Sequence, residues 1–84
     1  MRSKLNSDEI KIKVIDVISN VFNIEKSKIN QKMNSDNVDG WDSLKHMNLI
    51  IALEEEFNIN FQDFEIIQIN SFKKIIEVIT GRQN

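Results

Sequence analysis

The residues best suited to chemistry lie at positions 39–44, with the sequence Asp-Gly-Trp-Asp-Ser-Leu. Asp39 and Gly40 favour a turn, and an apolar helical pattern starts directly after it, so the hydroxyl of Ser43 is predicted to lie at a helix N-terminus. Free backbone N–H groups and the helix dipole favour a bound or attached phosphate there, by about 0.3–1 kcal/mol at an exposed site. Serine and aspartate are also common N-caps, so Ser43 or Asp42 can instead simply accept hydrogen bonds from helix amides.

A calcium loop is a second interpretation of this region, because Asn, Asp and Gly crowd residues 34–42. When Gly40 is aligned with the invariant glycine of an EF-hand loop, Ser35 falls at the first ligand position and His46 at the last. Those positions need an acidic ligand and a bidentate glutamate, so the pattern fails at both ends. The sequence predicts no metal site.

A hydrolase site is a third interpretation, since Asp42, Ser43 and His46 are close and residues three apart share a helix face. The chain has no plausible third group to orient its single histidine, and 84 residues leave little room for a substrate pocket. The absence of cysteine also excludes a thiolate nucleophile, a disulfide and a cysteine metal site. We therefore expect that the chain is not an enzyme.

Four helical segments must position these residues. Asn6 and Glu9 form a capping-box pattern, and helical spacing of apolar residues predicts helix one at about 7–22. Residues 23–42 are predicted to be a long loop. The predicted helix two covers 43–57, a short helix covers about 61–67, and the last helix covers 71–80, with Ser71 as its cap and Gly81 as its stop.

The resulting prediction is an all-α fold, a small four-helix bundle with three main helices and one short helix in a single domain, 1–84. The apolar arc of helix two exceeds half the circumference, which predicts contact with more than one neighbouring helix. Apolar residues outside the first helix that are expected to lie in the core are Met47, Ile51, Phe57, Ile59, Phe61, Ile66, Ile67, Ile69 and Ile75.

Charge is concentrated in the middle of the chain, where residues 34–67 carry eight Asp/Glu against one Lys/Arg. Such a segment repels phosphate backbones and attracts basic protein surfaces, so nucleic acid is not an expected partner. No apolar run approaches the roughly 18 residues of a membrane span. Because residues 1–5 have no apolar stretch or cleavage site, we expect no secretion signal and a cytoplasmic protein.

From Asp42 to Ile79 the chain resembles the acyl carrier protein family. The resemblance rests on Asp-Ser-Leu at 42–44, on Ala-Leu-Glu-Glu-Glu-Phe at 52–57 in the same apolar helix, and on the short acidic segment and Ile-rich helix that follow. It implies a carrier of acyl thioesters on a phosphopantetheine arm, in fatty-acid biosynthesis or in a specialised acyl pathway. Lys45 and Asn48 favour the specialised pathway, because carriers of fatty-acid synthesis are commonly acidic at those positions.

The resemblance also implies roles for individual residues. Ser43 would receive phosphopantetheine from coenzyme A through a separate transferase, Asp42 would help hold the metal in that transferase complex, and Leu44 completes the cofactor-binding motif. The residues expected to recognise partners are Glu54, Glu55, Glu56, Met47 and Lys45. The positive charge of Lys45 is expected to weaken docking to a basic patch on a partner.

The expected partners are the phosphopantetheinyl transferase and acyl-loading and acyl-processing enzymes with basic docking patches, and a monomer is the simplest state for such a shuttle. Trp41 is expected to pack over the bundle as a loop residue. One alternative stays open from the sequence, namely an arm-less helical interaction module that binds a basic partner through its acidic helix. A Ser43 side chain that is buried or bonded inward would favour that alternative.

Overall fold

The computed structural model describes residues 5–82, and the predicted all-α architecture of three main helices and one short helix is confirmed there. The helices are α1 (Ser7–Phe22), α2 (Ser43–Phe57), α3 (Asp63–Gln68) and α4 (Phe72–Arg82), with a 3-10 helix at Lys26–Lys28 between α1 and α2. Residues 1–4, which carry most of the segment used to argue against a secretion signal, lie outside the described part. Within residues 5–82, no helix is both long enough and apolar enough to cross a bilayer.

The ends of the two longest helices follow from local hydrogen bonding. The side chain of Asn6 accepts from the backbone N–H of Glu9 at 2.8 Å, and the carboxylate of Glu9 accepts from the backbone N–H of Asn6 at 2.9 Å, which is the predicted capping box. Asn23 and Asn58 end α1 and α2 in the left-handed conformation, with φ of 57° and 55°. Asparagine tolerates this conformation better than most residues, so both helices stop sharply.

The hydrophobic core lies where α1 packs against both α2 and α4. Its fully buried members on these helices include Ile10, Val14, Ile18, Leu49, Ile50, Leu53, Ile75 and Ile79. Ile69, in the α3–α4 connection, is also fully buried, and the long loop contributes Ile29 and Met33. The loop therefore belongs to the folded unit, because Ile29 and Met33 are part of the same buried cluster as the core residues of the helices.

Three of the residues predicted to be core are exposed instead. Met47 and Ile51 on α2 are 47% and 50% exposed, and Ile67 on α3 is 77% exposed. The core prediction was wrong for these residues because the apolar arc of α2 is wider than the surface that its neighbours cover. α3 is six residues long and has no buried residue of its own.

The loop from 23 to 42 is more ordered than its sequence suggested. It contains the 3-10 helix, and Asn34 forms an isolated antiparallel bridge with Ser71 at the start of α4. The backbone N–H of Ser35 donates to the carbonyl of Asn70 at 2.8 Å, and the N–H of Phe72 donates to the carbonyl of Met33 at 3.0 Å. These bonds hold the loop against the connection between α3 and α4.

The two C-terminal helices differ from their predicted bounds by one or two residues. α3 begins later than predicted because Gln62 is its N-cap, and the backbone N–H of Gln62 donates to the carboxylate of Glu65 at 2.7 Å. Gly81 does not stop α4, which continues to Arg82 because the guanidinium of that residue is held by Glu65 of α3. Ser71 acts as the predicted cap, since its hydroxyl accepts from the backbone N–H of Lys74 at 3.1 Å.

Candidate functional site

The serine that the sequence singles out is the first residue of α2 and is exposed. Within residues 5–82, neither the hydroxyl of Ser43 nor the backbone N–H groups of Ser43 and Leu44 have a hydrogen-bond partner. The site therefore offers a free hydroxyl beside two free N–H donors at the positive end of a helix. This arrangement fits an attached phosphodiester, whose oxygens accept hydrogen bonds from such donors.

A tight turn leads into this helix. Gly40 has a φ of +85°, a conformation that residues with a side chain rarely adopt, and the space beside it is otherwise open. The backbone N–H of Trp41 donates to the carbonyl of Val38 at 3.3 Å, and the N–H of Asp42 donates to the carbonyl of Gly40 at 2.9 Å. A glycine is thus favoured at position 40 by its positive φ, and this turn directs the chain into α2.

Asp42, rather than Ser43, caps the helix. Its side chain accepts from the backbone N–H of Lys45 at 2.8 Å, and its carbonyl accepts from the N–H of His46 at 2.8 Å. This result resolves the ambiguity between the two neighbouring residues, because the aspartate satisfies the helix end and the serine hydroxyl is left unused.

Trp41 and His46 link the turn to α2 and α3. The indole Nε1 of Trp41 donates to Nδ1 of His46 at 3.1 Å, and Nε2 of His46 lies 2.9 Å from the carbonyl oxygen of Ile66. Indole N–H is only a donor, so Nδ1 of His46 accepts this bond, and Nε2 is the ring nitrogen that faces the carbonyl of Ile66. The indole also packs on Phe22 with ring centroids 5.1 Å apart, which confirms the expected packing of Trp41 over the bundle.

An exposed apolar strip continues from Ser43 along α2. Leu44, Met47 and Ile51 follow one another at helical spacing and are 70%, 47% and 50% exposed. The structure thus brings Met47, which the sequence suggested for partner recognition, onto the same exposed face as Leu44. Single exposed apolar residues are common, but three in a row beside a free hydroxyl form a continuous contact surface.

The three glutamates at the end of α2 have different surroundings. A carboxylate oxygen of Glu54 accepts from the backbone N–H of Phe61 at 2.9 Å and so holds the segment that leads into α3. Glu56 pairs with Lys13 of α1 at 3.1 Å. Glu55 is exposed, and its side chain makes no ion pair or hydrogen bond within the described part of the chain. Of the three, Glu55 is the one whose charge is not already used by the fold.

Lys45 is also committed to an internal contact. Its ammonium Nζ donates to the carbonyl of Val21 at 3.1 Å, in the last turn of α1. A cation at a helix C-terminus interacts favourably with the negative end of the helix dipole. The positive charge next to Ser43 is therefore drawn toward α1, which reduces the repulsion that the sequence led us to expect.

An ion pair joins α3 to the end of α4. The guanidinium of Arg82 contacts both carboxylate oxygens of Glu65, at 2.7 Å and 3.0 Å, and also donates to the carbonyl of Asn60. The hydrogen bonds from Arg82, and then from the backbone N–H of Gln62, lower the pKa of the Glu65 carboxyl below its ordinary value. The same pairing raises the pKa of Arg82.

The structure brings no metal-binding group of residues to this site. Within residues 5–82, no group of three or more histidine, aspartate or glutamate side chains is arranged to hold a metal ion. Asp42 and His46 lie near Ser43 in sequence, but the carboxylate of Asp42 caps α2 and both ring nitrogens of His46 have other partners. Ser43 therefore has neither of them as a hydrogen-bonded base.

Comparison with known proteins finds similarity to acyl carrier proteins and to an acyl-carrier domain. The family model described as "Highly reducing polyketide synthase sdgA, C-terminal ACP domain" matches residues 1–84. The chain is 34% identical over 78 residues to the protein named "Acyl carrier protein" of Guillardia theta, covering 93% of this chain and 96% of that one. It is 38% identical over 79 residues to the protein of the same name from Buchnera aphidicola, covering 93% and 96%. The similarity to "Acyl carrier protein 2, mitochondrial" of Arabidopsis thaliana is 34% over 79 residues, but the chain spans 63% of the length of that relative.

Proposed function

The chain belongs to the acyl carrier protein family, whose members are non-enzymatic carriers with a covalent phosphopantetheine arm, and we propose that Ser43 bears this arm. The observation that supports the assignment is that Asp42 caps α2 in place of Ser43, so the serine hydroxyl is exposed and unbonded within the described residues. A serine that was itself the cap would have to give up a stabilising hydrogen bond when it was modified.

The residues around Ser43 suit the attached group. The arm supplies a thiol that holds the acyl group as a thioester, a nucleophile that this cysteine-free chain lacks. Ser43 and Leu44 are the first two residues of α2, and hydrogen bonds from their free N–H groups to the oxygens of a phosphodiester on Ser43 would orient the start of the arm. The role of the protein is to present the arm and to be recognised.

The carboxylate of Asp42 is proposed to have a second role during loading. As the N-cap of an exposed turn it remains open to solvent, and one of its oxygens accepts the Lys45 N–H bond. A carboxylate has several lone pairs, so it can keep the cap and still contribute a ligand to a metal held by the transferase.

Partner recognition is proposed to use the exposed apolar strip together with the free acidic charge farther along α2. Leu44 and Met47 lie next to the arm, and Glu55 offers a negative charge to a basic docking patch. Glu54, Glu56 and Lys45 would contribute less directly, because each already has a partner within the fold.

We further propose that residues 1–84 form one carrier domain that works as a monomer with successive enzymes, and the family match over the full length supports this division. The pathway is proposed to be a specialised acyl pathway rather than general fatty-acid synthesis, on the ground of Lys45 and Asn48. A cytoplasmic location stays a prediction, since one relative is mitochondrial by name.

The test of the proposal is covalent loading. The purified protein is incubated with coenzyme A, magnesium and a broad-specificity phosphopantetheinyl transferase, and its intact mass is recorded beside that of Ser43→Ala. We expect a gain of one phosphopantetheine in the native protein and no gain in the variant. No gain in a folded, previously unmodified sample would contradict the proposal and favour the arm-less interaction module.

A further inference from the structure

A cleft of about 590 Å³ opens directly beside Ser43. Trp41 and Met47 give it apolar surface, while Ser35 and Asn70 line it with a hydroxyl and a carboxamide. Within residues 5–82, neither the Ser35 hydroxyl nor the Asn70 side chain makes a hydrogen bond to the protein. The cleft therefore combines apolar contact area with polar groups whose hydrogen-bonding capacity is unused.

Hydrogen bonds and packing within the fold hold the walls of this cleft in place. The indole of Trp41 is fixed by its bond to His46 and by packing on Phe22, and His46 is fixed in turn by the carbonyl of Ile66. The backbone of Ser35 and Asn70, which also line the cleft, is fixed by the bond from the Ser35 N–H to the Asn70 carbonyl. Because the indole of Trp41 is already held, its ordering costs little conformational entropy when the cleft is filled.

We propose that this cleft is a binding site for the pantetheine portion of the arm, an inference that rests on the proposed attachment at Ser43. Beyond its phosphate, the arm carries a dimethyl-substituted carbon and then two amide groups. The dimethyl group fits against Trp41 and Met47, and the amides fit the free groups of Ser35 and Asn70.

Because the arm is covalently attached at Ser43, weak contacts with the cleft are sufficient to hold it. Because Ser43 itself lines the cleft, binding of the arm is intramolecular, and a short tether gives an effective concentration of about the millimolar range. In this proposal the arm of the unpartnered carrier lies along Trp41.

Nuclear magnetic resonance of the loaded protein tests the inference, with intact mass first establishing that loading is complete. Trp41 is the single tryptophan of the chain, so its indole signals are identified without ambiguity. We expect nuclear Overhauser effects between the methyl protons of the arm and the indole protons. We also expect the side-chain amide signals of Asn70 to shift on loading, although Asn70 is remote from Ser43 in sequence.

A variant pair separates a bound arm from a local effect of the phosphate. Asn70→Ala should load fully but lose the contacts between the arm and Trp41. Asn20→Ala, which removes an exposed asparagine side chain from α1, should load fully and keep them.

Two results would overturn the cleft assignment while leaving Ser43 as the attachment point. One is a fully loaded protein without arm-to-indole contacts, even if Trp41 shifts, because such a shift is explained by the neighbouring phosphate. The other is an Asn70→Ala protein that retains those contacts unchanged. A native protein that gains no mass would instead overturn the proposed function, and the cleft inference with it.

Discussion

Replacement of Asp42 by alanine and by asparagine is expected to separate the structural role of this residue from its role in loading. The side chain accepts one hydrogen bond, at 2.8 Å, from the backbone N–H of Lys45. Alanine removes this cap and should cost about 1 kcal/mol of unfolding free energy, within a range of about 0.5–2 kcal/mol. For a domain of this size, 1 kcal/mol lowers the melting temperature by about 4–8 °C. Asparagine caps helices as well as aspartate does, so Asp42→Asn should stay close to the native stability.

The loading rate should follow a different order. Asparagine keeps a carbonyl oxygen for the cap but loses the negative charge that favours a metal ligand, so Asp42→Asn should load about 10–100-fold more slowly at unchanged stability. Urea or thermal unfolding gives the stability, and intact mass against time gives the rate. Native loading by Asp42→Asn would refute the metal role. Equal destabilisation of both variants, or none in Asp42→Ala, would refute the assignment of the cap.

Three further predictions follow from the packing and the ion pairs. Ile69→Ala should cost about 2–5 kcal/mol because Ile69 is fully buried, whereas Ile67→Ala, at a position 77% exposed, should stay within about 0.5 kcal/mol of native in urea unfolding. The pKa of Glu65 is lowered, so its pairing with Arg82 stabilises the protein above the ordinary pKa of 4.5, and this stabilisation is lost as the pH falls through the lowered value. The urea midpoints of the native protein and of Glu65→Gln should therefore converge in acid. A gap between the midpoints that stays constant with pH would contradict this expectation. Lys45→Met should lower the free energy of unfolding by about 0.3–1 kcal/mol, because it removes the cation from the end of α1, and an unchanged unfolding midpoint would contradict the contact.

Much of the fold could be predicted because the helix boundaries indicated by capping residues and apolar spacing agree with the tertiary packing. The Asn6–Glu9 capping box, the start of α2 after Asp42 and the cap at Ser71 each depend on residues within one turn of the helix. Errors arose where distant contacts decided the outcome. Gly81 looked like a stop, but Arg82 is held by Glu65, and this pairing joins two helices that sequence spacing cannot relate.

Burial on α2 and α3 illustrates the same limit. Periodicity identifies which residues share a face of a helix, but it does not say whether another helix covers that face. Met47 and Ile67 were therefore assigned to the core although both are exposed, while Ile29 and Met33 were missed because isolated apolar residues in a polar loop have no period. Only the tertiary arrangement determines how far an apolar face is covered.

Within the site, the motif around Ser43 was recognisable from the sequence, but the network that supports it was not. Trp41 and His46 were considered separately, one as a loop residue and the other as a possible hydrolase residue. Their hydrogen bond requires the turn at Gly40 to fold the indole back onto α2, and the bond from His46 to Ile66 requires α3 to pack alongside. A donor-only indole five residues before a lone histidine was the available signal.

The helix α3 is held less firmly against the rest of the fold than the other three helices are. No residue of α3 is buried, and its polar links to the rest of the fold include the Glu65–Arg82 pair and the bond between Ile66 and His46. Segments held by few apolar contacts open at a lower free energy than the core does. The α1–α2–α4 core therefore fixes the position of Ser43, while the α3 side can change shape at less cost. Because His46 bonds to both Trp41 and Ile66, two hydrogen bonds connect α3 to the wall of the cleft beside Ser43.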